Sequence, residues 1–256
     1  MIAMTAPHTE SRGLPVHIVV VVPAHNERQH LPRCLRALTA AASCLTTPVS
    51  TVVVLDSCDD GSEHLAGEYG PDVHFISIDA GNVGAARAAG FTHARSVELW
   101  PGDLVDGVSS DTWYATTDAD SMVDADWLVR MVRPDLHAGA DMVLGVVRVP
   151  NWRHFSPAVV RRYLRAYRSK GPDHDHVHGA NMGFRADAYW HVGGFHALAT
   201  GEDVDLVERF EAAGLTVHRD RGLSVATSDR RDGRAPGGFA QYLRGLSRAS
   251  KAGAGA

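Results

Sequence analysis

Apolar residues in this chain come in short unbroken runs, each closed by a polar cluster. Val16–Val22 is continuous and β-branched, the pattern of a strand buried on both faces. Pro23-Ala-His-Asn-Glu27 interrupts it, and Leu31, Cys34, Leu35, Leu38 and Ala42 then fall on one helical stripe. Pro32 is compatible with that helix only in its first turn. Thr51–Leu55 repeats the buried-strand pattern and runs into Asp56–Ser62, a stretch rich in turn formers. His74–Ile78 predicts a third strand, Asn82–Gly90 opens an alanine-rich helix, and Thr112–Thr117 is a fourth strand. Strand and helix therefore alternate, which predicts an α/β fold with a mainly parallel central sheet flanked by helices.

Beyond Asp120 the pattern is less regular. Helices are expected over Asp126–Leu136, with Pro134 as its stop, and over Pro157–Ser169, Glu202–Ala213 and Phe239–Ser250. A strand is expected over Met142–Val149. Arg161, Arg162, Arg165 and Arg168 give the second of those helices a basic face. With no repeat and no long linker, residues 1–256 read as one domain. Its nucleotide-binding half would span about 16–120 and its acceptor-binding half about 121–250.

Composition narrows the function classes. A formal net charge of -5 leaves no polycationic surface, which argues against nucleic acid as a partner. Three cysteines without metal-type spacing point to free thiols and a cytoplasmic setting. The sequence shows neither a secretory leader nor an apolar run long enough to span a bilayer, so membrane contact would be peripheral.

The polar motifs cluster at the carboxyl ends of the expected strands, where parallel sheets bind ligands. His25–Glu27 follows the first strand, although Asn26 could also cap the next helix. Asp56 follows the second, and Asp118-Ala-Asp120 the fourth. Two carboxylates two residues apart, where a strand gives way to a loop, can grip one divalent cation. Hard oxygen donors favour Mg²⁺ or Mn²⁺. Asn82–Arg87 lacks the glycine spacing of a dinucleotide fingerprint. His174, His176 and His178 alternate, so on a strand they would share a face and could bind zinc. Gly171-Pro172 and two intervening aspartates instead favour a substrate-binding loop, with His178 nearest the substrate.

In chain order, these motifs resemble family 2 glycosyltransferases of the GT-A fold. The resemblance runs from about Val16 to Gly214 through Val21–Glu27, Asp56–Ser62, Asn82–Gly90, Asp118–Asp120, Gly179–Asn181, Gly193–Phe195 and Glu202–Leu206. It implies inverting transfer of one sugar from a nucleoside diphosphate sugar to a hydroxyl acceptor. A UDP-sugar is favoured, with GDP- and dTDP-sugars as alternatives. The resemblance places Pro23, His25, Glu27, Asp56, Asn82, Arg87, Asp118, Gly179 and Asn181 against the nucleotide-sugar. It gives Asp120, with Asp118, to the metal and makes Asp203 the general base. It leaves His178, Glu202 and Arg234 as substrate or lid residues. Two rivals remain: a sugar nucleotidyltransferase, and a non-catalytic sugar- or metal-binding module. The first should carry a Gly-rich basic loop after its first strand, where this chain has His25-Asn-Glu27.

Overall fold

The computed structural model describes residues 14–96, 111–133, 139–168, 174–230 and 239–252. Pro134, Gly171, Pro172 and Arg234, on which expectations rest, lie outside these residues. Seven strands form one sheet: β1 His17–Ala24, β2 Val49–Asp56, β3 Val73–Ile78, β4 Thr112–Thr116, β5 Met142–Arg148, β6 Met182–Arg185 and β7 Val217–Ala226. Their spatial order is β3-β2-β1-β4-β6-β5-β7. Only β6 runs antiparallel, against β4 on one side and β5 on the other. The other pairings are parallel.

β1 is buried at every position, as its β-branched run predicts. Ile18, Val20, Val22 and Ala24 face one core, while Val19 and Val21 face the other, the period-two alternation of a central strand. The strand runs two residues past the expected break, through Pro23 and Ala24. Pairing with β4 stops at Val21, so Pro23 is matched only on its β2 side, where Val54 lies opposite. A residue without an N–H is tolerated at such a place.

Helices α1 (Leu31–Ala42) and α3 (Trp127–Val132) cover one face of the sheet. Helices α2 (Val83–Ser96), α5 (Ala186–His191) and α6 (Glu202–Ala212) cover the other. Gly90 lets α2 lie close on the sheet, because a Cβ there would run into Val21 and Val54. The last pair, α4 (Pro157–Arg168) and α7 (Phe239–Ala252), forms a separate small core with Phe155, Val159, Tyr163 and Leu243 buried.

Three elements were not visible in the sequence pattern. β6 has four residues and α5 six, too few to show a period. β7, at the sheet edge, carries His218, Arg219, Asp220 and Arg221, which mask its alternation. Asn26 does not cap α1, which starts at Leu31 behind His30. Asn26 instead sits at φ 55°. Its side-chain oxygen accepts the Asp59 N–H at 2.8 Å, tying the ends of β1 and β2 together. All three cysteines are free.

Candidate active site

A cavity of about 840 Å³ opens at the carboxyl ends of β1, β2 and β4. Among the sequence-derived candidates, Pro23, His25, Glu27, Asp56, Asn82, Arg87, Asp118, Asp120, His178, Gly179, Glu202 and Asp203 all line it. The described lining holds six carboxylates, Glu27, Asp56, Asp118, Asp120, Glu202 and Asp203, against the guanidiniums of Arg87 and Arg230. That surplus of negative charge makes the site receptive to a cation.

Arg87 organises the centre. It is 3% exposed and forms ion pairs with Glu202 and, at 2.8 Å, with Asp118. Burial alone would lower its pKa, but Asp118, Glu202 and Asp203 outweigh that and hold the cation firmly. Gly179 leaves room for it, because any Cβ there would overlap the guanidinium. The Phe195 ring lies beneath, 5.5 Å from the Arg87 guanidinium carbon. Arg87 is therefore a buried anchor of the acidic cluster, not a solvated helical side chain.

Asp120 is the most perturbed acid in the site. Burial pushes its carboxyl up to about 6, Arg230 pulls against that rise, and Asp118 and Glu27 add to it. The Arg230 guanidinium bridges Glu27 at 2.5 Å and Asp120 at 3.1 Å. This link across the chain was not foreseen. Its sequence signal was only a basic cluster around a Gly/Pro loop. Asp118 and Asp120 supply the hard oxygen donors that Mg²⁺ or Mn²⁺ takes, and the charge surplus fits such an ion. Among the described residues, no group of three or more His, Cys, Asp or Glu side chains converges on one metal position. The remaining ligands would thus have to come from water and the substrate.

Asp56 is enclosed by a collar of donors. Ala80 and Gly81 donate their N–H groups to Oδ1 at 2.8 Å, and Asn82 donates to Oδ2 at 2.7 Å. Burial favours the neutral acid, yet these bonds and the Ser57 hydroxyl hold its pKa below the usual carboxylate value. Asp56 thereby fixes the loop that leads into α2, and Asn82 caps that helix by accepting the Ala85 N–H at 2.9 Å. On the opposite wall, Asp203 Oδ2 accepts the Gly179 N–H at 2.9 Å and Oδ1 accepts the Val204 N–H. Its carboxylate is oriented by these backbone N–H groups, with the Arg87 guanidinium close enough to feel its charge.

Asn181 does not join the site. It is fully buried and absent from the cavity wall. Its amide nitrogen donates to the Val146 and Leu223 carbonyls, and its oxygen accepts the Trp127 indole N–H. These bonds sew β5, β7 and α3 together. The Gly193-Gly194 turn is likewise outside the cavity, packed on Tyr189.

The histidine triplet divides. His174 is buried, with both ring nitrogens 3.1 Å from the carbonyls of Leu144 and His176. His176 and His178 line the cavity. The alternation does place all three rings in one stack, 5.9 and 5.8 Å apart, although no strand forms there. Burial drives His178 down to about 4, and it accepts the Tyr167 hydroxyl at 3.1 Å. A stack of rings held by carbonyls and a phenol does not gather its nitrogens for zinc. The described cavity wall also includes Tyr163, Tyr167, Phe239 and Tyr242, none of which the sequence pattern singled out. Their helical spacing looks the same as that of core residues.

Against known proteins, the profile described as Glycosyl transferase family 2 matches residues 19–193. The chain belongs to that family and is classed with the glycosyltransferases. Solved structures of the same fold include TarS 1–349 from S. aureus in complex with UDP-GlcNAc, at 15% identity and TM-score 0.62. That match covers 91% of this chain and 65% of TarS 1–349, so the chain spans less than two thirds of that relative. The mannosyltransferase PcManGT from Pyrobaculum calidifontis, solved with GDP-Man and Mn²⁺, matches at 17% identity and TM-score 0.61. The match covers 92% of this chain and 70% of that one. Glucosyl-3-phosphoglycerate synthase from Mycobacterium tuberculosis, in complex with phosphoglyceric acid, matches at 19% identity and TM-score 0.55, over 91% of this chain and 76% of that one. Among the described residues no helix is long and apolar enough to cross a membrane.

Proposed function

We propose that this protein transfers one sugar from a nucleoside diphosphate sugar to a hydroxyl acceptor, with inversion at the anomeric carbon. The observation that carries the reading is one cavity lined by both the Asp118/Asp120 pair and a carboxylate, Asp203, oriented by the Gly179 N–H. Relatives of this fold were solved with UDP-GlcNAc and with GDP-Man and Mn²⁺, which supports a nucleotide-sugar donor.

In this reading the base and ribose lie along Pro23, His25 and Asp56, and the diphosphate lies near Asp118 and Asp120. A divalent cation held by Asp120, with Asp118, supplies electrostatic stabilisation of the departing diphosphate. Arg230 contributes a second positive group on the same side. Arg87 keeps Asp118 in position through their ion pair. Asp203 takes the proton of the acceptor hydroxyl as its oxygen attacks the anomeric carbon and the bond to the diphosphate breaks. The Gly179 N–H fixes one oxygen of Asp203, leaving the carboxylate aimed without neutralising it. Burial holds the His178 imidazole neutral, so it sets no positive charge beside Asp203.

Asp203→Asn tests the assignment. It should lower transfer by roughly 10²–10⁴-fold while the protein still takes up donor. Near-normal transfer by that variant would remove Asp203 from the mechanism.

A further inference from the structure

The cavity continues past Asp203 into a compartment whose walls differ from those of the donor end. Helix α4 contributes Tyr163, Ala166 and Tyr167, and α7 contributes Phe239 and Tyr242. Val147 and Val177 close the side. The two helices meet through rings: Tyr163 lies 5.7 Å from Phe239 and 6.4 Å from Tyr242. His176 lies flat on Tyr167, with centroids 4.0 Å apart and planes 7° from parallel.

Two properties of this compartment restrict what it can hold. First, among the described lining residues the fixed cations are Arg87 and Arg230, and both are paired with carboxylates of the donor end. A phosphorylated or carboxylated acceptor would meet no free positive charge among them. Second, the polar groups of Tyr167 and His176 in its wall are already engaged inside the protein. The Tyr167 oxygen accepts the Val147 N–H at 2.8 Å and its hydroxyl donates to His178. His176 Nε2 donates to the Tyr167 carbonyl at 3.1 Å. A sugar acceptor needs several convergent hydrogen-bond partners, and these residues have few left to offer. Besides the buried Tyr163 hydroxyl, which has no hydrogen-bond partner among the described residues, what remains in the described wall is mainly ring surface. Tyr242 is 47% exposed although it forms part of the wall.

From the ring walls, the lack of free cations among the described lining residues and the engaged groups of Tyr167 and His176, we infer that the acceptor is an uncharged alcohol or phenol carried on a flat aromatic body. The body stacks between α4 and α7, and its hydroxyl points to Asp203. Offset or edge-on ring pairs add about 0.5–1.5 kcal/mol beyond area burial, which favours such a body over an alkyl chain of equal size. The inference rests on the sugar-transfer reading for the word acceptor, but the ring compartment can be tested without it.

The test is titration of the protein with naphthylmethanol, followed by calorimetry, beside octanol, methyl glucoside and phosphoglycerate. Naphthylmethanol should bind at least about tenfold more tightly than each of the others. Tyr242→Ala should weaken it by about tenfold, and Tyr242→Phe should retain it. Tyr242 is half in solvent, so both variants should fold, which circular dichroism checks. Equal or tighter binding of octanol, methyl glucoside or phosphoglycerate would overturn the inference, as would an unchanged affinity in Tyr242→Ala. Donor uptake with Mn²⁺ is measured in parallel. Loss of uptake with naphthylmethanol still bound would sink the sugar-transfer reading alone. Uptake without naphthylmethanol binding would sink the aromatic acceptor alone.

Discussion

At the acidic end of the cavity, the donor end in the proposed reading, acids are held by guanidiniums and backbone N–H groups; at the ring-lined end, proposed for the acceptor, rings are held by other rings. The first kind of construction is directional and unforgiving. Arg87 is buried between Glu202 and Asp118, so losing it strands the buried Glu202 carboxylate in a low-dielectric interior. The second kind is adaptable. The α4/α7 rings gain from contact area, and a changed ring changes what fits before it changes whether the chain folds. The contrast suggests a donor end built for one obligatory chemistry and an acceptor end open to variation.

The largest structural effect should come from breaking the directional end. Arg87→Met should destabilise the fold by about 3–5 kcal/mol, because Glu202 is left buried without its partner. Urea unfolding would measure it, and a loss under 1 kcal/mol, in about the range of an exposed pair, would contradict the anchoring role. Asn181→Ala should come next, at roughly 2–3 kcal/mol, since the Trp127 indole and two strand carbonyls lose their partner. Donor affinity of whatever fraction folds should stay normal, because Asn181 lies outside the cavity. A selective loss of donor affinity would put it back in the site.

A smaller effect separates the two ends by pH. His178 sits at about 4 in the folded protein, against 6.5 for the free side chain. Between those values the unfolded chain binds a proton that the native one refuses. The His178 contribution to stability therefore falls as pH drops from about 6.5 towards 4, by up to about 1.4 kcal/mol per pH unit, against an opposite contribution below about 6 from the raised carboxyl of Asp120. His178→Gln should flatten that slope. An unchanged slope would mean that the buried imidazole is not the group responsible.

The same contrast explains what the sequence disclosed. Asp56, Asp118 and Asp120 could be picked out because polar residues at the carboxyl ends of apolar runs stand out against their neighbours, whereas Arg87 and Asp203, inside helices, were reached only through the family resemblance. The alternating half of the sheet could be read for the same reason, since β1 and β2 are uninterrupted β-branched runs. The Glu27–Arg230–Asp120 bridge could not be read, because it joins residues some two hundred positions apart through a turn of no fixed period. The acceptor wall was hidden differently. Tyr163 and Tyr167 are spaced like any core pair on a helix, and the four arginines of α4 drew the reading to its other face. Asn181 erred the opposite way: the resemblance set Gly179-Ala-Asn181 against the nucleotide-sugar, but the side-chain bonds of Asn181 are spent on the core.

The central claim is that the acidic end of this cavity holds a nucleoside diphosphate sugar through a divalent cation at Asp120 and Asp118. Calorimetric titration of UDP-, GDP- and dTDP-sugars, with Mn²⁺ and with chelator, measures this directly, with Asp120→Asn in parallel. One donor should bind the unaltered protein in a Mn²⁺-dependent way and bind Asp120→Asn at least about a hundredfold more weakly, a loss of about 2.7 kcal/mol. Binding that ignores both the metal and the Asp120 substitution, or no binding of any of the three, would contradict it.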